Sequence, residues 1–242
     1  MSRSLLSAVM LCTAVAVGCG DGKGPTGPSG PPQLARTRFL AFGDSITAGE
    51  VTTPVGFTSG FSKQVLVPAA SYPAVLESRL RTVYAAQSSV ITVTNAGEPN
   101  ERILDGNQRF PGVFDPARHD VVLLMEGVNG LPIAGPDIST GVMQIMTRTA
   151  KAGNARVFIG SMIPQVPGRP RGNTPEFELL NYNTKLTQMA AQEGVVFVDL
   201  YNPMLAEASS LIGSDGLHPT EAGYRRIADL FFAAIQRELQ QP

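Results

Sequence analysis

Five short runs rich in apolar residues recur along the chain: Arg38–Gly43, Val90–Asn95, Val121–Met125, Arg156–Gly160 and Val195–Asp199. Runs this short, with so little alternation, suit strands covered on both faces rather than strands with one wet side. The stretches between them repeat at helical spacing. Ser71 can cap a helix with Pro73 in its first turn and Val75, Leu76, Leu80 and Val83 on one face. Ile138, Val142, Ile145, Met146 and Thr149 mark a second helix that stops at Gly153. Leu179, Leu180, Leu186 and Met189 mark a third, over Glu176–Gln192. Ile227, Leu230, Phe231, Ala234 and Ile235 mark the last, over Glu221–Leu239. Strands alternating with helices imply a three-layer α/β/α sandwich around a five-stranded parallel sheet. Right-handed crossovers favour a flavodoxin-like strand order, which puts chemistry outside the carboxyl ends of the strands.

The 242 residues include 43% apolar and 16% charged ones, enough to bury a core without metal or disulfide staples. The formal net charge of −1, with no clustered basic face, argues against a nucleic-acid partner. Only two cysteines occur, Cys12 and Cys19, so neither a zinc site nor a disulfide framework can be built from thiols.

The N-terminus reads as an address. Arg3 precedes an apolar run from Leu5 to Val17, too short to span a bilayer comfortably. Ala16-Val17-Gly18-Cys19 resembles a bacterial lipoprotein signal, although Ala16 stands where leucine is usual. Residues 1–18 are therefore expected to be a signal peptide and Cys19 the lipidated first residue of the mature chain. The Gly- and Pro-rich stretch that follows suits a flexible tether, residues 19–35, ahead of a catalytic domain over 36–242. The expected location is the cell envelope, with the membrane reached through the anchor at Cys19.

The first strand runs into Gly43-Asp44-Ser45-Ile46-Thr47, which sets a serine on a strand-to-helix turn at the carboxyl edge of the sheet. The second ends in Asn95-Ala96-Gly97, and the third in Glu126-Gly127-Val128-Asn129-Gly130, offering an N–H and a side-chain amide. Of the two histidines, His119 falls before a strand, at the opposite edge, and reads as a surface or loop residue. His218 lies in Asp215-Gly216-Leu217-His218-Pro219. Its three-residue separation from Asp215 lets one loop present a carboxylate to Nδ1 and leave Nε2 free to take a proton from serine.

These four segments, in this order, resemble the four blocks of the SGNH (GDSL) hydrolases over roughly Arg38 to Gln240. The resemblance implies hydrolysis of carboxylic esters without metal or cofactor. It makes Ser45 the nucleophile, Asp215 and His218 its partners, and the Ser45 N–H, Gly97 N–H and Asn129 side chain the oxyanion hole. One departure stands out: Gly130 replaces the aspartate usual in the third block, which puts in question how firmly Asn129 is held.

The substrate is expected to be a small-molecule or glycan ester, with short to medium acyl groups favoured and carbohydrate O-deacetylation as the alternative. The segments Glu50–Ala70 and Ile163–Pro175 adjoin strand ends and could wall the pocket. Two readings from other classes compete. An inactive binding module on a lipid tether is motivated by Gly130. A phosphate-binding flavodoxin-like domain is disfavoured by Asp44 in the turn and gives no role to Asp215 and His218.

Overall fold

The computed structural model describes residues 30–54 and 62–241. In chain order the strands are β1 (Gln33–Leu34), β2 (Arg38–Gly43), β3 (Glu50–Pro54), β4 (Ser62–Leu66), β5 (Thr92–Gly97), β6 (Val121–Met125), β7 (Arg156–Gly160), β8 (Val196–Val198) and β9 (Gln240–Gln241). The helices are α1 (Ser45–Ala48), α2 (Tyr72–Val83), α3 (Ile103–Val113), α4 (Leu131–Ala152), α5 (Glu176–Glu193), α6 (Tyr201–Leu205), α7 (Ala208–Leu211) and α8 (Glu221–Leu239).

Five strands form one parallel sheet in the order β5-β2-β6-β7-β8. This is the flavodoxin-like order, in which the first strand of the sheet lies between the second and third. Every residue of β6 is buried, as are Phe39 to Gly43 in β2, because helices cover both faces. Helix α2 packs against α8, while α4 packs against α3 and α5, giving the outer layers of the sandwich.

The apolar runs mark the strands to within two residues, whereas two helices depart from the pattern. Helix α3 was not anticipated: Gly106, Pro111 and Gly112 disguise a stripe in which Ile103, Gly106 and Phe110 face inward. In α4 the chain breaks at Gly135 (φ 76°, ψ 167°), so the helical register restarts at Pro136. Ser139, Val142, Met143, Met146 and Ala150 then face the core, and Ile138 and Ile145 face solvent. Val83 and Leu180 also lie outside their expected stripes. Ser71 sits at the N-cap of α2 as expected, but its hydroxyl makes no capping bond and donates instead to the Pro68 carbonyl.

The segment after Glu50 is a hairpin, β3 paired antiparallel with β4. The folded unit also begins earlier than the tether boundary anticipates. Leu34 is buried, β1 pairs with β9, and the Gln87 side chain accepts from the Leu34 N–H (2.7 Å) and donates to its carbonyl (3.0 Å). The expected signal peptide, Cys19 and the first part of the expected tether lie outside the described residues.

Candidate active site

Strand register brings the site together. Gly43 pairs with Gly97 on one side and with Met125 on the other, so β5, β2 and β6 end at one level. The turns after β2 and β6 and the end of β5, carrying Ser45, Asn129 and Gly97, therefore share one sheet edge. Gly97 is required there: a Cβ would lie 2.0 Å from the Ala48 nitrogen. Its absence lets α1 sit against the end of β5.

Asp44 adopts extended geometry and its Oδ1 accepts from the Ile46 N–H (2.9 Å), capping α1 and setting Ser45 as its first residue. The opposing loop is fixed by backbone bonds from Gly213 N–H to the His218 carbonyl (2.7 Å) and from Thr220 N–H to the Leu211 carbonyl (2.8 Å). Within it Asp215 Oδ1 accepts from the Leu217 and His218 N–H groups, both at 3.0 Å. Its Oδ2 lies 2.5 Å from His218 Nδ1, and His218 Nε2 lies 2.9 Å from Ser45 Oγ. All three side chains are buried. Burial opposes charge on Asp215, but the bonds from the imidazole and the two N–H groups outweigh it and hold the carboxyl below its ordinary range. An ionised Asp215 on Nδ1 fixes the tautomer that leaves the Nε2 lone pair toward the serine hydroxyl.

The expected oxyanion donors are placed differently from one another. The Gly97 N–H donates to the Asn95 side-chain oxygen (2.9 Å), so it is engaged within its own strand. The Asn129 amide donates one N–H to the Glu101 carbonyl (2.9 Å), leaving the second for another acceptor. Gly130 does not leave this turn unsupported. Its φ of −96° is ordinary for any residue, and the Gly130 and Leu131 N–H groups both donate to the Gly127 carbonyl. Glu101 is itself held by Arg109 at 2.6 Å.

Several groups at the site were not read from the sequence. Glu50 Oε2 is buried and lies 3.2 Å from His218 Nε2, a second carboxylate beside the imidazole ring. It reaches there because Gly49 takes a left-handed turn (φ 97°) directly after α1, and because Tyr224 OH donates to the Glu50 carbonyl. Only three-dimensional return of the chain reveals this contact. Asp44 and Glu126 are both buried. Burial drives the Asp44 carboxyl up to about 7 against the opposing Ile46 bond. Burial, with the charges of Asp44 and Glu101 adding, drives Glu126 well above its usual range. His119 lies in a loop at the far edge as expected, but it is buried rather than at the surface: it accepts from the Asp115 N–H and stacks on Phe114.

The loop between β7 and α5 binds the loop of Asp215 and His218, with Val166 N–H on the Gly216 carbonyl (2.9 Å) and Arg171 N–H on that of Asp215 (2.7 Å). Beside Asn129 and Leu217 lies a cavity of about 190 Å³. A second, of about 340 Å³, shares Gln165, Asn173 and Thr174 with it and extends toward Tyr201. Among the described residues, no group of three or more histidine, cysteine or acidic side chains is arranged to hold a metal ion.

A flavodoxin-like sheet with a Ser–His–Asp chain at its carboxyl edge defines a serine-hydrolase type of site. Residues 41–226 match the model of the GDSL-like lipase/acylhydrolase family, and the chain belongs to that family. Among solved structures it is similar to a lipase/acylhydrolase from Enterococcus faecalis (20% identity, 84% of this chain and 97% of that one, TM-score 0.67). It is also similar to an acetyl xylan esterase (19% identity, 81% and 98% covered, TM-score 0.63). A psychrotrophic esterase from a Pseudoalteromonas species is another relative in fold (19% identity, 82% and 96% covered, TM-score 0.61). A comparison with curated protein sequences gives no match.

Proposed function

We propose that the protein is a serine esterase that hydrolyses carboxylic esters through an acyl-enzyme at Ser45. The observation carrying this reading is the unbroken chain from Asp215 Oδ2 to His218 (2.5 Å) and from His218 Nε2 to Ser45 Oγ (2.9 Å). His218 takes the Ser45 proton as Oγ attacks the ester carbonyl, then returns it to the leaving alcohol. Water, deprotonated by the same nitrogen, releases the acid. Asp215 orients the ring and stabilises the imidazolium. The oxyanion is met by the Ser45 N–H and the spare Asn129 N–H, and by the Gly97 N–H once it turns from Asn95. The narrow cavity beside Asn129 favours short acyl groups, which keeps removal of acetyl from a glycan within the same reading.

Turnover of p-nitrophenyl acetate and butyrate, with Ser45→Ala as control, tests the proposal. Hydrolysis that disappears in the variant, with fluorophosphonate labelling of the wild type alone, is the expected result. A folded wild type that neither turns over nor labels returns the chain to the inactive-module reading.

The same proposal extends to location: Cys19, following a signal-like run, carries a lipid that holds the enzyme at the cell envelope.

A further inference from the structure

The cavity beside Asn129 carries a charge that the chemistry above does not use. Among the described residues lining it, Arg171 is the only charged one; its neighbours include Asn129, Gln165, Asn173, Thr174 and Leu217. The mostly polar wall suits a polar ligand better than a long alkyl chain. Arg171 is fixed relative to the triad, because its own N–H donates to the Asp215 carbonyl at 2.7 Å.

Its guanidinium is under-used. Nη2 donates to the neutral Gln64 Oε1 across 3.2 Å, and among the described residues no carboxylate pairs with it. Elsewhere in the fold, Arg38, Arg109, Arg148 and Arg156 rest on acids, while Arg36 and Arg226 donate to backbone carbonyls; of these, none lines the cavity beside Asn129. The acids of the site lie on other groups: Asp215 on His218 and its own loop, Asp44 on the α1 cap, Glu101 on Arg109, Glu126 on the Gly127 N–H, and Glu50 beside His218 Nε2. A guanidinium has five N–H donors in a rigid fork that matches a carboxylate with two parallel bonds. Left half-buried with one neutral partner, it is poised for an anion supplied by the ligand.

We infer that Arg171 is a substrate-binding residue for esters carrying a carboxylate a few bonds from the scissile carbonyl. The inference rests on the esterase reading and names the substrate class for that site. The carboxylate sits on the Arg171 fork while the ester carbonyl lies at Ser45, so the guanidinium contributes to recognition rather than to bond breaking.

Two matched pairs of esters test it, with the anion on either side of the bond. Mono-p-nitrophenyl succinate is compared with p-nitrophenyl butyrate, and 4-acetoxybenzoate with 4-acetoxybenzamide, in wild type, Arg171→Gln and Arg171→Lys. For at least one pair, the ratio of kcat/KM for the anionic ester to that for the neutral one should fall about tenfold in Arg171→Gln. The loss should lie mainly in KM, and Arg171→Lys should recover part of it. An unchanged ratio for both pairs overturns the inference, as does an equal loss on anionic and neutral esters, which marks a purely structural role. Failure of the esterase reading looks different: wild type then hydrolyses none of the four esters and Ser45 takes no fluorophosphonate.

Discussion

Asp44 caps the helix that begins at Ser45, the proposed nucleophile, yet it is buried, and burial raises its carboxyl to about 7. An acid whose folded pKa exceeds its unfolded value of about 3.9 binds more protons in the folded state between those two values. Its contribution to stability is therefore fullest at low pH and is lost as pH rises toward 7. Asn at position 44 keeps an oxygen for the Ile46 N–H and removes the titration. Asp44→Asn should accordingly be more stable than wild type near pH 8, with the difference shrinking toward pH 4, as read by Tm against pH. A constant difference across that range would show that Asp44 does not titrate there. Asn129 offers a second prediction at this scale. With one amide N–H on the Glu101 carbonyl, the other is the proposed donor to the oxyanion. Asn129→Ala should lower kcat about 10²- to 10³-fold with little change in KM in steady-state assays. A comparable rise in KM instead would make Asn129 a ground-state contact.

At the scale of elements, the site depends on the close approach of α1 to β5. A Cβ at position 97 would lie 2.0 Å from the Ala48 nitrogen and 2.5 Å from the Thr47 carbonyl carbon, and backbone cannot swing aside as a side chain can. Gly97→Ala should cost about 1–3 kcal/mol in urea denaturation and displace the nucleophile, with activity falling alongside stability. Retention of both would mean that α1 shifts freely. This fit explains what was legible beforehand. The five strands could be read because a strand buried on both faces leaves a run of apolar residues that needs no partner to be recognised. Asp215 and His218 could be read together because three residues on one loop set their meeting. Helix α3 could not, since its glycines and Pro111 carry turn character and its stripe holds only Ile103, Gly106 and Phe110. Glu50 and Arg171 could be placed only as parts of the stretches 50–70 and 163–175 beside the pocket, not as contacts. Each reaches the site by a backbone contact to a distant segment, Glu50 through Tyr224 and Arg171 through Asp215.

On the scale of the whole molecule, the two ends of the described chain are tied to each other. Strand β1 pairs with β9, Ala35 N–H donates to the Leu239 carbonyl (2.9 Å), Gln87 clamps both backbone groups of Leu34, and the Leu34 side chain is buried. Residues 31–35 therefore belong to the fold rather than to the link toward Cys19. If Cys19 carries a lipid, this clasp is where tension along the link meets the enzyme, so an anchored form has reason to fix it. Among the described residues, no helix is long and apolar enough to cross a membrane; in the anchored form proposed above, retention rests on Cys19. In bacteria expressing the full chain, Cys19→Ser should move the protein from the membrane fraction to the soluble one and abolish palmitate labelling; wild type that is never labelled removes the anchor from the proposal. The clasp itself is tested by comparing a chain beginning at Pro31 with one beginning at Arg36. The shorter chain loses the buried Leu34 side chain, worth about 1.5–3 kcal/mol, together with the Gln87 bonds. For a domain of this size that is a Tm lowered by roughly 3–12 °C. Its activity on neutral esters at 25 °C should be preserved, because β2, β5, β6 and the 215–218 loop all follow residue 36. Equal Tm values for the two chains would make the first five residues ornament on a fold complete without them.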